Sequence, residues 1–449
     1  MADFGPGDQL RAVSSNSVCV IEEYLDGGTQ GDVYRASVDG ATVAAKWYLD
    51  TYCKLCPEQR GILEDLVKHG PPDHRFLWPL DIVEADGRPG FGYLMPFRGP
   101  EFVGFNDLAR GRVRPSMFAL ARAGFELADS FYNLHTGQGL CYRDINFGNL
   151  FLDPATGRIA ICDNDNVGCT GQSAGVVGTM GFMAPEIVRG EASTQRSTDL
   201  WSLAVMLFYL FMRDNPLLGA LAAGVKIEDG AAERWLYGDH PVFVFDPDDP
   251  SNYPVNNEED GYQVNAIARW PILPTATQQL FVQAFTVGSR EPDRRVQENE
   301  WRQAMVELGD GWFKCGCGAE CFHDVLAMGA RPDHQPRPCW HCGKSPTLPP
   351  RMQIVDAYGS NATVVLGRGK KLYPHHLGAS SLFDFSRVLA EVVPDPRSAG
   401  QFVLRNASSE SWTVRRDDGT VVEVGTGKAV ALTDRRQIVF GAKTGTVRL

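Results

Sequence analysis

The chain has 449 residues, a length that suits about three domains of ordinary size. Hydrophobic residues make up 43% and charged residues 22%, which excludes a disordered or fibrous chain. The formal net charge is −12, and Lys and Arg form no run, so we predict no nucleic-acid binding, because a phosphate-binding surface needs clustered basic residues.

The sequence also predicts no membrane span and no secretion signal. The longest strongly apolar stretch, 200–212, is shorter than the ~20 residues that a bilayer requires and has the length of a buried core helix. The first residues, MADFGPGDQLRAV, lack the basic and apolar regions of a signal peptide. We therefore expect a cytoplasmic protein whose cysteines are free thiols or metal ligands rather than disulfides.

The first part of the chain has two kinds of hydrophobic pattern. Between residues 18 and 45, short apolar runs alternate with glycine-containing turns, which predicts antiparallel strands and hairpins. The segments 118–134 and 199–212 instead repeat apolar residues at helical spacing. A small β-rich lobe followed by a larger helical lobe indicates an α+β fold, and we place this domain at residues 15–308.

A glycine-rich turn and a lysine form the first candidate site. In the segment DGGTQGDV (26–33), the glycines would let backbone N–H groups approach phosphates closely. Lys46 ends the next apolar run, VAAK, from which it can pair with the same phosphates. Neither feature is specific alone, since many glycine hairpins hold no ligand and most lysines are solvated charges.

The segment YRDINFGN (142–149) is more specific. Asp144 can accept a proton from a hydroxyl group, and Asn149, five residues later, can ligate Mg²⁺. Asp163 follows the apolar residues Ile161 and Cys162 and can hold the metal that bridges the β and γ phosphates of a nucleotide. Asp and Asn are also common turn formers, but that interpretation leaves the order of the segments unexplained.

Two later segments, GTMGFMAPE (178–186) and DLWS (199–202), complete a resemblance to the protein kinase superfamily that covers residues 18–308. The resemblance implies a two-lobed kinase fold and transfer of the ATP γ-phosphoryl group to Ser or Thr hydroxyls of proteins. It implies Asp144 as the base and Asn149 and Asp163 as Mg²⁺ ligands. It also implies a structural ion pair between Glu186 and Arg295.

The same resemblance implies a nucleotide site. Its expected members are Gly27, Gly28, Gly31, Val33, Lys46, Glu58 and Met95. In a kinase the lysine is paired with a helix glutamate, for which Glu58 is the first candidate and Glu64 the alternative. The two glutamates lie on different helix faces, so only one of them can face Lys46.

Several positions depart from the kinase pattern. Tyr142 stands in place of the usual histidine, Asn146 in place of a lysine, and the pair Asn164 and Asp165 in place of Phe-Gly. These departures leave open a pseudokinase that binds nucleotide and serves as a scaffold. Transfer to a small molecule is a further alternative. In the segment before the APE triplet, the candidate phosphorylation sites are Thr170, Ser173 and Thr179.

Residues 309–346 predict a small zinc ribbon. Two cysteine pairs, Cys315 with Cys317 and Cys339 with Cys342, lie about twenty residues apart and provide four thiolates for a tetrahedral, structural Zn²⁺. Cys321 is an alternative to Cys317, and His341 is a more remote alternative ligand.

Residues 352–449 predict an all-β sandwich, because short strand-like runs are separated by turn signals. The order of its segments resembles a forkhead-associated (FHA) domain, a phosphothreonine-binding module, in which Arg368 and Asn406 would be the residues to test. A purely structural or docking role is the alternative.

Kinase, ribbon and β module together are similar to bacterial kinases associated with a metal-dependent protein phosphatase and a von Willebrand A protein of the tellurite-resistance type. This resemblance implies these two proteins as partners.

Overall fold

The structure is a computed structural model that describes residues 3–169, 178–225, 229–256, 264–356, 359, 361–378, 382–398, 400–415 and 419–449. The chain divides into two compact units. The first unit consists of Met1–Trp270 with Thr277–Met305, and the second of Pro271–Ala276 with Val306–Leu449. The chain passes between the units after Trp270, Ala276 and Met305, and the last of these points lies a few residues before the boundary at residue 308 expected from the sequence.

The first unit begins with a closed antiparallel barrel of six strands. They are β1 (Gln9–Ala12), β2 (Val18–Gly27), β3 (Gly31–Val38), β4 (Ala41–Tyr48), β5 (Asp81–Glu84) and β6 (Gly92–Pro96), in the order β1-β2-β3-β4-β6-β5. Pairing of Arg11 and Ala12 with Glu84 and Val83 closes the barrel. The predicted strands and hairpins of this lobe are therefore confirmed, and the closed barrel is a feature that the local patterns did not predict.

The barrel has its own hydrophobic core because alternate strand residues point inward. Tyr34 and Ala36 on β3 and Val43 and Ala45 on β4 are buried in one cluster. The ring of Phe4 packs edge-on against the ring of Trp47, with the ring centroids 5.0 Å apart. The helices α1 (Asp50–Leu55) and α2 (Gln59–His69) connect β4 to β5.

The rest of the first unit is mainly helical. Its helices are α3 (Phe105–Ala109), α4 (Met117–Tyr132), α5 (Pro185–Val188), α6 (Arg196–Met212), α7 (Ala220–Ala223), α8 (Gly230–Arg234), α9 (Val264–Arg269), α10 (Thr275–Phe285), α11 (Val287–Arg290) and α12 (Glu298–Gly311), of which α12 contains the division between the units. Short strands between β6 and α5 form two small sheets. They are β7 (Val103–Gly104), β8 (Leu140–Cys141), β9 (Leu150–Leu152), β10 (Ile159–Ile161) and β11 (Gly168–Cys169).

The two helices expected from periodicity are confirmed. α4 begins at a Ser116 cap, whose hydroxyl accepts a hydrogen bond from the Ala119 N–H, and a π-helical turn extends it to Gln138. α6 is buried on nearly all sides, as the apolar segment 200–212 predicts for a core helix. In the part of the chain that the structure describes, no helix has the length and apolar character required to cross a membrane.

The second unit begins with a hairpin of β12 (Trp312–Lys314) and β13 (Glu320–Phe322), followed by α13 (Val325–Ala330). Two antiparallel sheets follow, in the orders β15-β14-β23-β22-β19-β20 and β16-β17-β18-β21. Their strands are β14 (Arg351–Val355), β15 (Asn361–Val365), β16 (Lys371–Leu372), β17 (Ala390–Pro394), β18 (Phe402–Asn406), β19 (Trp412–Arg415), β20 (Val421–Val424), β21 (Ala429–Ala431), β22 (Gln437–Phe440) and β23 (Lys443–Arg448), with α14 (Pro374–Leu377) after β16. Residues of both sheets, such as Met352 and Leu404, share one hydrophobic cluster.

Candidate active site

The glycine-rich turn lies between β2 and β3. Gly27 is the last residue of β2, Gly31 is the first of β3, and the Gly28 N–H donates to the Gly31 carbonyl at 3.0 Å. A Cβ atom on Gly31 would lie 2.2 Å from the carbonyl oxygen of Trp47 on β4, so only glycine fits this approach of two strands. Val33 lies two residues further along β3 and pairs with Lys46 of β4.

Lys46 lies at the centre of a buried polar network. Its ammonium group contacts the Gln30 side-chain oxygen at 2.8 Å, Asp163 at 2.6 Å and Asp165 at 2.8 Å. Burial alone would lower the pKa of Lys46, but the two carboxylates outweigh it and raise this pKa above its ordinary value. The side chain is therefore a charged ammonium, 7% exposed, at the base of the glycine-rich turn.

The prediction that Glu58 pairs with Lys46 is wrong in this structure. α2 begins at Gln59, so Glu58 is the exposed residue before the helix, whereas Gln59 is buried with 3% exposure. The alternative, Glu64, pairs with Arg60 on the exposed side of α2. A shift of one residue turns a helical side chain by about 100°, and apolar spacing does not determine a helix start that closely. The sequence did contain a signal for the observed partner of Lys46, because a second aspartate, Asp165, follows Asp163 by two residues.

The catalytic-loop candidates are connected by hydrogen bonds. The Thr179 hydroxyl donates to the Asp144 carboxylate at 2.8 Å and accepts from the Asn146 side-chain amide at 3.0 Å. The Asn149 side-chain amide donates to the Asp144 carbonyl at 2.9 Å, which leaves the Asn149 side-chain oxygen as an acceptor. Of the candidate phosphorylation sites, Thr179 thus contacts Asp144, and Thr170 and Ser173 lie outside the described residues.

The loop is anchored on α6. Asp199 accepts the backbone N–H groups of Tyr142 at 2.6 Å and Arg143 at 3.0 Å. His135 bridges Asp199, at 3.0 Å, and Glu298, at 2.5 Å. Arg143 has a left-handed backbone with φ of 75°, a conformation that costs energy and that these bonds hold in place. His135 and Glu298 escaped the sequence-based prediction because they are far apart in the chain and belong to no kinase motif.

Asp163 follows β10 in a left-handed conformation with φ of 56°. The hydroxyl of the buried residue Tyr142 donates to the backbone carbonyl of Cys162, the residue before Asp163. Burial and the neighbouring Asp165 carboxylate raise the pKa of Asp163 above its ordinary value, although Lys46 opposes them. For Asp165, burial acts in the same direction, but the Lys46 ammonium outweighs it and holds the pKa below its ordinary value.

Met95, the remaining candidate of the nucleotide site, lies on β6 opposite Ala44 of β4 and is 8% exposed. It packs in the cluster that contains Tyr48 and Tyr93. Its role in nucleotide binding stays a prediction.

The predicted ion pair between Glu186 and Arg295 is confirmed. The two guanidinium nitrogens bind the two carboxylate oxygens at 2.8 and 2.7 Å, and the Arg295 side chain is 2% exposed. Such a bidentate pair fixes the end of the APE segment.

We expect Glu186→Gln to lower the free energy of unfolding by about 3–5 kcal/mol, because it leaves a buried guanidinium without its counter-charge. Urea unfolding followed by tryptophan fluorescence measures the change. The control is Arg294→Met, which removes the exposed pair with Glu291 and should cost at most about 1 kcal/mol. Equal losses in the two variants would contradict the assigned role of the buried pair.

The four predicted cysteines lie together in the second unit. The Sγ atoms of Cys315, Cys317, Cys339 and Cys342 are all within 4.8 Å of one another. The Cys315–Cys342 distance is 3.9 Å and the Cys317–Cys339 distance is 3.7 Å. A tetrahedral Zn²⁺ with Zn–S bonds of about 2.3 Å separates its sulfur ligands by about 3.8 Å, so the arrangement fits this metal. Cys321 lies on β13 and packs beside Phe313 in a hydrophobic cluster.

A second group with potential metal ligands consists of Asp310, His375 and His376. The backbone N–H of Tyr373 donates to Nδ1 of His376, and that of Phe383 donates to Nδ1 of His375, each at 3.0 Å. A neutral imidazole that accepts at Nδ1 carries its proton on Nε2 and offers no lone pair there. Asp310 is instead neutralised by Lys370, at 2.8 Å, and accepts a hydrogen bond from Nε2 of His376, at 3.1 Å, so this group is a structural hydrogen-bond cluster.

Asn406, named with Arg368 as a candidate for phosphothreonine binding, has no exposed surface. Its side-chain amide donates to the carbonyls of Glu410 and Val424, at 2.8 and 2.9 Å. The side chain therefore holds the chain between β18 and β20 and does not face a ligand. Arg368 lies exposed in the turn before β16.

The β-rich barrel, the helical part and the network around Lys46, Asp144 and Asp163 form the two-lobed architecture of a protein kinase. Residues 105–231 match the family model described as protein kinase domain. This part of the chain thus resembles a protein kinase domain, and the relatives given next are protein kinases.

Among curated relatives, the chain is 28% identical to protein kinase C delta type from Mus musculus over 163 residues, which are 33% of this chain and 24% of the relative. It is 35% identical to serine/threonine-protein kinase sck2 from Schizosaccharomyces pombe over 99 residues, 20% of this chain and 15% of the relative. It is 30% identical to mitogen-activated protein kinase kinase 5 from Leishmania mexicana over 119 residues, 26% of this chain and 22% of the relative. The matches span a quarter or less of these relatives' lengths.

Proposed function

We propose that the protein is a kinase that uses ATP and Mg²⁺ to phosphorylate Ser or Thr hydroxyls of proteins, including its own. The proposal depends on one observation above all: two side-chain hydrogen bonds, one backbone hydrogen bond and the peptide bond between Cys162 and Asp163 connect the candidate residues. Lys46 contacts Asp163, the Cys162 N–H donates to the Asn149 carbonyl at 2.8 Å, and the Asn149 amide donates to the Asp144 carbonyl. These residues correspond in type and order to those that a kinase uses for phosphoryl transfer.

The residues fit a Mg²⁺ ion. The side-chain oxygen of Asn149 is left as an acceptor, and Asp163 uses one carboxylate oxygen for Lys46 while its side chain is 29% exposed. Amide and carboxylate oxygens are the ligands that Mg²⁺ prefers, so Asn149 and Asp163 would hold the ion. When bound there, Mg²⁺ would neutralise negative charge on the nucleotide phosphates.

The chain's own residues supply the remaining steps. Lys46 pairs with the nucleotide phosphates, and the glycine-rich turn lets the backbone of residues 28–31 approach them closely. Asp144 accepts the proton of the substrate hydroxyl as that oxygen attacks the γ-phosphorus. Thr179 holds the Asp144 carboxylate in one orientation.

The test is incubation of the purified protein with γ-labelled ATP and Mg²⁺, followed by mass spectrometry to locate phosphate on Ser or Thr. We expect Asp163→Ala to lose both this transfer and the Mg²⁺-dependent part of nucleotide binding, because it removes a metal ligand. Wild-type protein with a chelator is the control and should behave as the variant does. Wild-type protein that binds ATP with Mg²⁺ but never transfers label would contradict kinase activity and favour the scaffold alternative.

The second unit is proposed to recruit partners. The spacing of the four sulfur atoms supports a structural zinc ribbon, and the two sheets with a shared core support an FHA-like sandwich. The resemblance to bacterial kinases suggests a metal-dependent protein phosphatase and a von Willebrand A protein as partners in a signalling system. Phosphothreonine binding would then depend on exposed residues such as Arg368, since Asn406 is buried.

A further inference from the structure

The counter-ion of Lys46 does not come from helix α2. The buried residues of that helix are Leu63, Leu66 and Gln59, none of which is charged, and Gln59 is 3% exposed. Its side-chain amide donates to the backbone carbonyl of Asp165 at 2.8 Å and to the Tyr48 hydroxyl at 3.3 Å. The helix therefore supports Asp165, whereas in a kinase it ordinarily supplies a glutamate to the lysine itself.

The carboxylate of Asp165 is held firmly in the network. Its side chain has no exposed surface, and one of its oxygens accepts from the Lys46 ammonium at 2.8 Å and from the Tyr48 hydroxyl. Asp163, the other partner of Lys46, is partly exposed and is the proposed metal ligand. Once Asp163 serves a metal, Asp165 is the carboxylate among the described residues that remains to neutralise Lys46.

We propose that Asp165 is the positioning residue that holds Lys46 toward the nucleotide phosphates, in place of a helix glutamate. This inference rests on the proposed function, because it assigns a role within the same site. A buried ammonium without a counter-charge is strongly disfavoured, so a fixed carboxylate both keeps Lys46 charged and limits the directions in which it can point. In this arrangement, the negative charge that helix α2 lacks is supplied by Asp165, which lies two positions after the proposed metal ligand Asp163.

The first measurement is the affinity for the non-hydrolysable ATP analogue AMP-PNP with Mg²⁺, by isothermal titration calorimetry. Asp165→Asn should weaken binding roughly 10- to 100-fold, as expected for loss of a hydrogen bond between charged groups. The matched control is Asp81→Asn, which also removes a buried carboxylate of the first unit, one that accepts the Ser14 and Ser15 N–H groups. It should leave the affinity unchanged.

A double-mutant cycle separates positioning from other roles. If Asp165 acts through Lys46, Asp165→Asn should have no further effect in a Lys46→Met background, since the group that it positions is gone. Returning the carboxylate from the helix, in Gln59→Glu with Asp165→Asn, should restore most of the affinity. Circular dichroism confirms folding, and the restored double variant keeps the test decisive if Asp165→Asn alone does not fold.

Equal losses in the wild-type and Lys46→Met backgrounds would overturn the inference. A loss of affinity that excess Mg²⁺ restores would also overturn it, because Asp165 would then be a metal ligand. A wild-type protein that does not bind the analogue would overturn it as well. A wild-type protein that follows the cycle but transfers no phosphate would contradict the proposed kinase activity and leave the positioning role supported.

Discussion

Replacement of Asp144 by alanine is expected to lower the rate of phosphoryl transfer by roughly 10²- to 10⁴-fold, the usual contribution of a general base. Nucleotide affinity should stay within about twofold, since the base acts on the acceptor hydroxyl and not on the nucleotide. The side chain is positioned by the Thr179 hydroxyl at 2.8 Å, so its loss removes an oriented acceptor without opening a core. Initial rates of label transfer at saturating ATP and calorimetric binding of AMP-PNP measure the two quantities.

The matched control for Asp144 is Asp248→Ala, which removes an exposed aspartate from the same unit. It should leave both quantities unchanged. A rate in Asp144→Ala close to that of the control would show that another group accepts the proton. A large loss of nucleotide affinity would instead show that the change disturbs the nucleotide site.

The second large effect is expected from metal removal. Structural zinc sites contribute about 10–16 kcal/mol of binding free energy, which is as large as the whole stability of an ordinary domain. Cys315 and Cys339 are also buried beside Phe313 and Val365, so the metal would hold together a small hydrophobic cluster. We therefore expect Cys315→Ser or Cys342→Ser to abolish zinc binding and to make the hairpin of β12 and β13 sensitive to protease.

Elemental analysis should find one zinc ion per wild-type chain, and limited proteolysis should locate the new cleavage sites. The control is Cys53→Ser, which changes a half-buried cysteine of the first unit and should alter neither result. Purified wild-type protein without zinc, and with the same protease pattern before and after chelation, would contradict a structural metal.

Much of the site was predictable because its residues belong to short, ordered motifs. Lys46, Asp144, Asn149 and Asp163 each follow a local pattern, and in the structure Lys46 contacts Asp163 while the Asn149 amide donates to the Asp144 carbonyl. The pair of Glu186 and Arg295 was also predictable, since both belong to segments whose spacing resembles a kinase. The grouping of the four cysteines was predictable because two cysteines at short spacing are typical of half of a metal site.

The failures share a physical cause. Glu58 was assigned to Lys46 from the apolar spacing of α2, but the helix begins one residue later and Gln59 faces inward. A helix start depends on capping and on tertiary contacts, which periodicity alone does not contain. Asn406 was named only as a residue to test, with a structural role as the alternative, and its amide donates to backbone carbonyls nearby.

The sequence by itself predicted the class of chemistry, because phosphoryl transfer needs particular residue types at short spacings, and those spacings are local properties of the chain. It also determined the main helices, since burial of α6 on all sides requires the apolar segment that encodes it. Only the tertiary structure decided which carboxylate neutralises Lys46 and which helix residue supports it. Lys46 and Asp165 are 119 positions apart, and a contact over such a separation depends on how strands and helices pack, which no local pattern records.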